Sequence, residues 1–196
     1  MGINLLYKGY NDVQATVQGD FTPLPPGGYV CRVCHAFISQ SKSGKDMLTL
    51  FVDIAEGDFA FHFQRAADRV KNFDSSKQWD NSGIYRQLIF HNDGRVSPFF
   101  KGLLTCFDKS NPNLNLNLAN FEPQTLRGLL IGFIFAQEEY TKNNGKLGTR
   151  TFIKFPLVVN DIREGNFNVP ALKKNAEPGN DFMKDSAPVD NEDIPF

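Results

Sequence analysis

The sequence predicts a mainly-β domain: five strands, one helix between the third and fourth, and an acidic tail. Three observations lead there. β-Branched and aromatic stretches with turn residues between them recur along the first 160 residues. A single apolar stripe of helical period falls between the third and fourth of them. Beyond Asp161 the chain turns polar and acidic. A chain of 196 residues can bury one good core plus a tail. The division that follows is an N-terminal extension over 1–27, a folded domain over 28–170 and a flexible tail over 171–196.

The extension is weakly patterned and ends in TPLPPGG, a rigid, turn-rich approach to the first strand. GYVCRVCHAFIS, from Gly28 to Ser39, is free of proline and reads as a long strand. The polar loop SQSKSGKD leads to MLTLFVDIAEG, where Leu48, Leu50, Val52 and Ile54 share one face and Thr49, Phe51 and Asp53 the other. FAFHFQ, Phe59 to Gln64, reads as another strand candidate. RAADRVKNFDSSKQWDNSG is a polar, basic excursion, and IYRQLIF, Ile84 to Phe90, returns to strand.

The helix follows. Ser97 suits its cap and Pro98 its first position. Phe99, Phe100, Leu103, Leu104 and Phe107 make the stripe, and Asn111-Pro112 stops it. Pro123 to Arg127 adds a helical turn closed by Gly128. LLIGFIFAQEEY, TKNNGKLG and TRTFIKFPLVVN form a second hairpin, in which Pro156 marks an edge or a bulge. This order is that of an OB-fold, a five-stranded Greek-key barrel that binds oligonucleotides across strands two and three and the loops joining strands one to two and four to five. An antiparallel sandwich satisfies the same strand order.

Composition narrows the function. No apolar run approaches the ~20 residues that span a bilayer. MGINLLYKGYND lacks the pattern of a signal peptide, and three cysteines make no disulfide framework, so the expected setting is cytoplasmic. The net charge of −1 conceals a segregation. Residues 175–196 hold six acids and one base, a net of −5, which leaves +4 on residues 1–174. Phenylalanine is abundant, 19 residues against one Trp, so surplus rings are available for a binding face.

CRVCH, residues 31–35, has the spacing of c-type haem attachment. On a strand, however, Tyr29, Cys31 and Val33 face one side and Arg32 and Cys34 the other, so the sulfurs cannot meet one metal. SGKD and NNGKLGT lack the rest of a phosphate-binding loop. His35, His62 and His91 are scattered, and His62 is expected to face solvent from its strand. The reading is of a protein that is not an enzyme and uses no cofactor or metal.

The positive signal is basic residues interleaved with aromatic ones. Cations track phosphates, and rings stack on bases without reading sequence. Lys42 and Lys45, and Lys142 and Lys146, are expected to contact phosphates from the two hairpin loops. Arg65, Arg69, Arg86 and Lys154 would do so from the sheet face and its loop, while Phe51, Phe61, Trp79 and Tyr85 would stack. For Trp79 and Tyr85, closing the core beneath a loop is the competing role.

The chain closes on DNEDIPF. Ile194, Pro195 and Phe196 form an apolar tip suited to a pocket, and Asp190, Glu192 and Asp193 would steer it to a basic rim. This heptapeptide resembles the acidic tip of bacterial single-stranded DNA-binding proteins, which recruits replication, recombination and repair enzymes. The body is similar to a family of bacteriophage proteins thought to bind single strands. PPGGYVCRV, SKSGKDMLTLFVDIAEG, the Trp79 region, FFKGLLTCFDKSNPN and VVNDIREGNFNVP carry that similarity across most of residues 25–170. The resemblance implies an OB-fold, a phage or prophage setting in the host bacterial cytoplasm, and a protein that coats single-stranded DNA with little sequence preference. An annealing or mediator factor of recombination, and a protein-interaction module without nucleic acid, are the alternatives. Self-association into a homo-oligomer is left open.

Overall fold

The computed structural model describes residues 24–71, 79–142 and 145–174, with the side chains of 69–71 outside that description. Its centre is one antiparallel sheet of five strands in the order β3-β2-β1-β4-β5. These are β1 (Gly27–Gln40), β2 (Asp46–Ile54), β3 (Ile84–Leu88), β4 (Leu130–Thr141) and β5 (Leu147–Leu157). Among the described residues β3 and β5 do not pair, so the sheet is open there. β5 instead lies against the 3-10 turn Asn81–Gly83 that leads into β3.

The alternation in β2 places Leu48, Leu50, Val52 and Ile54 in the core, all essentially inaccessible to solvent. Opposite them in register, Cys31, Val33 and Ala36 of β1 are buried on the same face. The step from Val33 to Ala36 is three residues because Cys34 is an extra residue, bulged out between the pairs Val33–Val52 and His35–Phe51.

Helix α2 (Pro98–Ser110) lies between β3 and β4 in sequence, as the stripe predicts, and packs on β3, β4 and β5. Phe100, Leu103 and Phe107 are buried, whereas Phe99 points to solvent at 73% exposure. Ser97 precedes the helix but its hydroxyl caps nothing. Asn111 ties the far end to the sheet. Its amide donates to the carbonyls of Phe107 and Leu130 and accepts from the Leu130 N–H, all at 2.8–3.0 Å. Pro156 sits in edge strand β5 beside a bulge at Lys154, as its backbone chemistry requires.

Two elements differ from the sequence reading. Phe59 to Gln64 is not a strand. The chain turns through residues 55–61 and then forms helix α1 (His62–Lys71). Phe63 and Ala67, one helical turn apart, enter the core. The start of α1 is held by β2: the Asp53 carboxylate accepts from the amides of Phe63 at 2.9 Å and Gln64 at 3.2 Å. His62 therefore sits half-buried at a helix start, its ring edge-on to Phe63, rather than on a strand.

The second difference is helix α3 (Val159–Glu164), closed by Gly165 in the left-handed conformation. It covers the outer face where β1 and β4 meet. A Cβ on Gly28 would lie 2.9 Å from Ile162 and 2.6 Å from Phe167, and one on Gly132 would lie 2.6 Å from Ile162. Both glycines thus give α3 its close approach. The bonded body extends slightly past the expected limits, because Thr151 donates to the Leu24 carbonyl and Lys173 bridges to β4 at Glu138. Among the described residues no helix is long and apolar enough to cross a membrane.

Candidate nucleic-acid interface

The outer face of the sheet is covered by α3 over the first half of β1 but not over its second half, β2 and β3. The bulge at Cys34 decides what is presented there. Strict alternation from Arg32 would put Ala36 outward. With one residue inserted, His35 and Phe37 face outward instead. His35 and Phe37 meet Phe51 of β2 edge-to-face, with centroids 6.1 and 5.6 Å apart. Trp79 stacks on the other side of Phe51 at 6.4 Å and 29°. Its indole N–H donates to the Val52 carbonyl at 3.2 Å, which fixes the ring at the edge of β2. His35, Phe37, Phe51 and Trp79 thus form one continuous aromatic strip.

Cations flank the strip. Arg32 projects from β1 into solvent, and Arg86 of β3 is half-buried beside Thr49. Burial lowers the pKa of the Arg86 guanidinium from its ordinary value. Neither arginine has a carboxylate within ion-pair distance among the described residues. Ser39 and Thr49 share a 2.6 Å hydroxyl hydrogen bond across the strip's end.

The expected contact residues separate into groups. Lys42 and Lys45 are exposed in the β1–β2 turn, and Lys142 and Lys146 in the β4–β5 turn. The two turns share one design. Ser41 N–H bonds the Lys45 carbonyl and Gly44 N–H the Ser41 carbonyl, and Lys142, Lys146 and Gly145 repeat those bonds. Gly44 and Gly145 take the positive φ this turn requires, both 76°. Because β1 and β4 are antiparallel, the turns project from opposite ends of the sheet. Lys154 is on β5 over the Phe152 ring, with β2, β1 and β4 between it and Arg86 in the sheet.

Tyr85 does not belong to the surface. It is buried against Phe133 at 5.0 Å, with its hydroxyl on Gln87, and burial raises its pKa. A strand alternates, so Tyr85 and Arg86 cannot share a face. Phe61 is exposed, but from the turn before α1 rather than from a strand. Arg65 is exposed and spends its guanidinium on the carbonyls of Ala60 and Phe61. The side chain of Arg69, and Asp190, Glu192, Asp193, Ile194, Pro195 and Phe196, lie outside the described residues.

The two cysteines of CRVCH part to opposite faces as expected, while the bulge turns His35 outward against the period. Cys31 is in the core, where burial pushes its thiol well up, and Cys34 turns to the opposite face. Arg32, His35 and Phe37, which the sequence reading left out of the contact set, flank Cys34. Comparison with models of protein families found no match, and no curated protein matches the chain.

Proposed function

We propose that this chain is a single-stranded DNA-binding protein of OB type, an enzyme of no kind, that coats exposed strands with little sequence preference in phage replication, recombination or repair. The observation that carries the reading is the aromatic strip of Phe37, Phe51 and Trp79 between Arg32 and Arg86, neither of which has a carboxylate partner among the described residues. Stacked rings bind any base, and the arginines hold the phosphates between them. The strip runs over strands one and two to Trp79 ahead of strand three, with Arg86 on strand three beside it, and the basic β1–β2 turn stands beyond one end. A barrel cut between its third and fifth strands unrolls to the observed order β3-β2-β1-β4-β5. α2 beneath the sheet and β5 against the turn before β3 are consistent with that curl.

The segment DNEDIPF, acids followed by Ile-Pro-Phe, supports recruitment of partner proteins. Binding of a labelled single strand should exceed that of the same sequence as a duplex by about tenfold or more, since only unpaired bases offer their faces to rings. Equal affinity for the two forms, or none for either, would refute the reading.

A further inference from the structure

Beside the strip lies a hollow lined by Arg32, Cys34, Asp53, Phe61 and Gln64. Its wall contains a backbone anomaly. Phe61 has φ of +61°, and Asn113 is the other non-glycine residue with positive φ among those described. Asparagine visits this region readily, but a bulky aromatic side chain there is a genuine outlier. The fold holds it from several sides. Phe61 N–H donates to the Ile54 carbonyl at 2.9 Å, and its own carbonyl accepts from both the Arg65 amide and the Arg65 guanidinium. The next two free amides bond Asp53. Glycine would fit the same backbone at no steric cost. The ring earns no core burial in return, because Phe61 is 61% exposed.

We infer that Phe61 is a base-stacking wedge and that the hollow between it and Arg32 is a subsite for one nucleobase splayed out of the bound strand. This rests on the proposed single-strand binding and adds a defined pocket to it. The strained turn places Phe61 in the wall of the hollow. Arg32, in the same wall, offers planar donors for the carbonyl oxygens of a thymine or guanine. The Asp53 carboxylate is occupied by three backbone amides and offers a base little repulsion to overcome. Strain of this kind collects where a ligand uses it.

The test uses the full-length protein and the variants Phe61→Gly and Phe61→Tyr, each titrated with labelled oligo-dT. Phe61→Gly should melt at the wild-type temperature or about 2 °C above it, because strain is relieved. The same variant should bind about fivefold or more weakly, and Phe61→Tyr should bind as wild type. An oligonucleotide with abasic sites should lose the difference between wild type and Phe61→Gly. Undiminished binding by Phe61→Gly, with wild type still binding, overturns the wedge and leaves the broader function standing. A melting point several degrees lower overturns the strain argument. Failure of wild type itself to bind oligo-dT removes the function and the wedge together.

Discussion

Asp53 links strand to helix through a single side chain. Its carboxylate takes amides of Ile54, Phe63 and Gln64, so α1 starts where β2 ends. Charge-assisted capping of this kind contributes about 1–2 kcal/mol. Asp53→Ala should therefore lower the melting temperature by about 4 °C; an unchanged value in a thermal scan would show that α1 is held by packing alone. At the surface, Phe51→Ala should weaken oligo-dT binding about fivefold or more, while Tyr85→Phe should leave it unchanged, as measured by anisotropy. Loss of binding on removal of the Tyr85 hydroxyl would contradict its place in the core. The period of β2 was legible because Leu48, Leu50, Val52 and Ile54 alternate without interruption. Tyr85 instead reads as a stacking ring among basic residues, although the alternation that turns its neighbour Arg86 outward sends Tyr85 into the core.

Among the elements, the ones that escaped sequence reading are those fixed by distant partners. Phe59 to Gln64 carries strand-favouring rings, yet the cap from Asp53 and the burial of Phe63 and Ala67 override that preference. The 3.6 period that would have revealed α1 was present in Phe63 and Ala67, with Arg65 and Asp68 on other sides. The β1 bulge leaves no mark in CRVCHAF, and it is what sends His35 and Phe37 outward. Helix α3 is too short to show a stripe and depends on two glycines across the sheet. Gly132→Ala would put a methyl group against Ile162 and the Leu157 carbonyl, so about 1–3 kcal/mol of destabilisation is expected in denaturant unfolding. A variant as stable as wild type would mean that α3 is free to shift. Arg163 also anchors α3 to Glu56, with 2.6 Å between them, and holds that carboxyl below its ordinary range. The pair's contribution is present at neutral pH and is lost as the pH falls from the usual carboxylate range to below it, through the lowered pKa of Glu56. Being largely exposed, it is worth at most about 0.5 kcal/mol.

Over the whole molecule, the sheet sets the geometry of the proposed interface. Its outer face is closed by α3 on one half and carries rings and arginines on the other. The two lysine turns stand at opposite ends, the β1–β2 turn beyond the half that carries the strip and the β4–β5 turn beyond the half that α3 covers. The body's charge of +4 is modest, and the acidic segment offsets it in the net value. Affinity should therefore come from stacking as well as from phosphate neutralisation, and the two respond differently to salt. Titrating labelled oligo-dT at a series of salt concentrations from about 50 mM upward separates them. Binding should weaken with salt along a log–log slope of about −2 to −3, as expected for three or four phosphates neutralised on a single strand. No measurable binding at about 50 mM salt, or an affinity indifferent to salt, would contradict single-strand binding by this face.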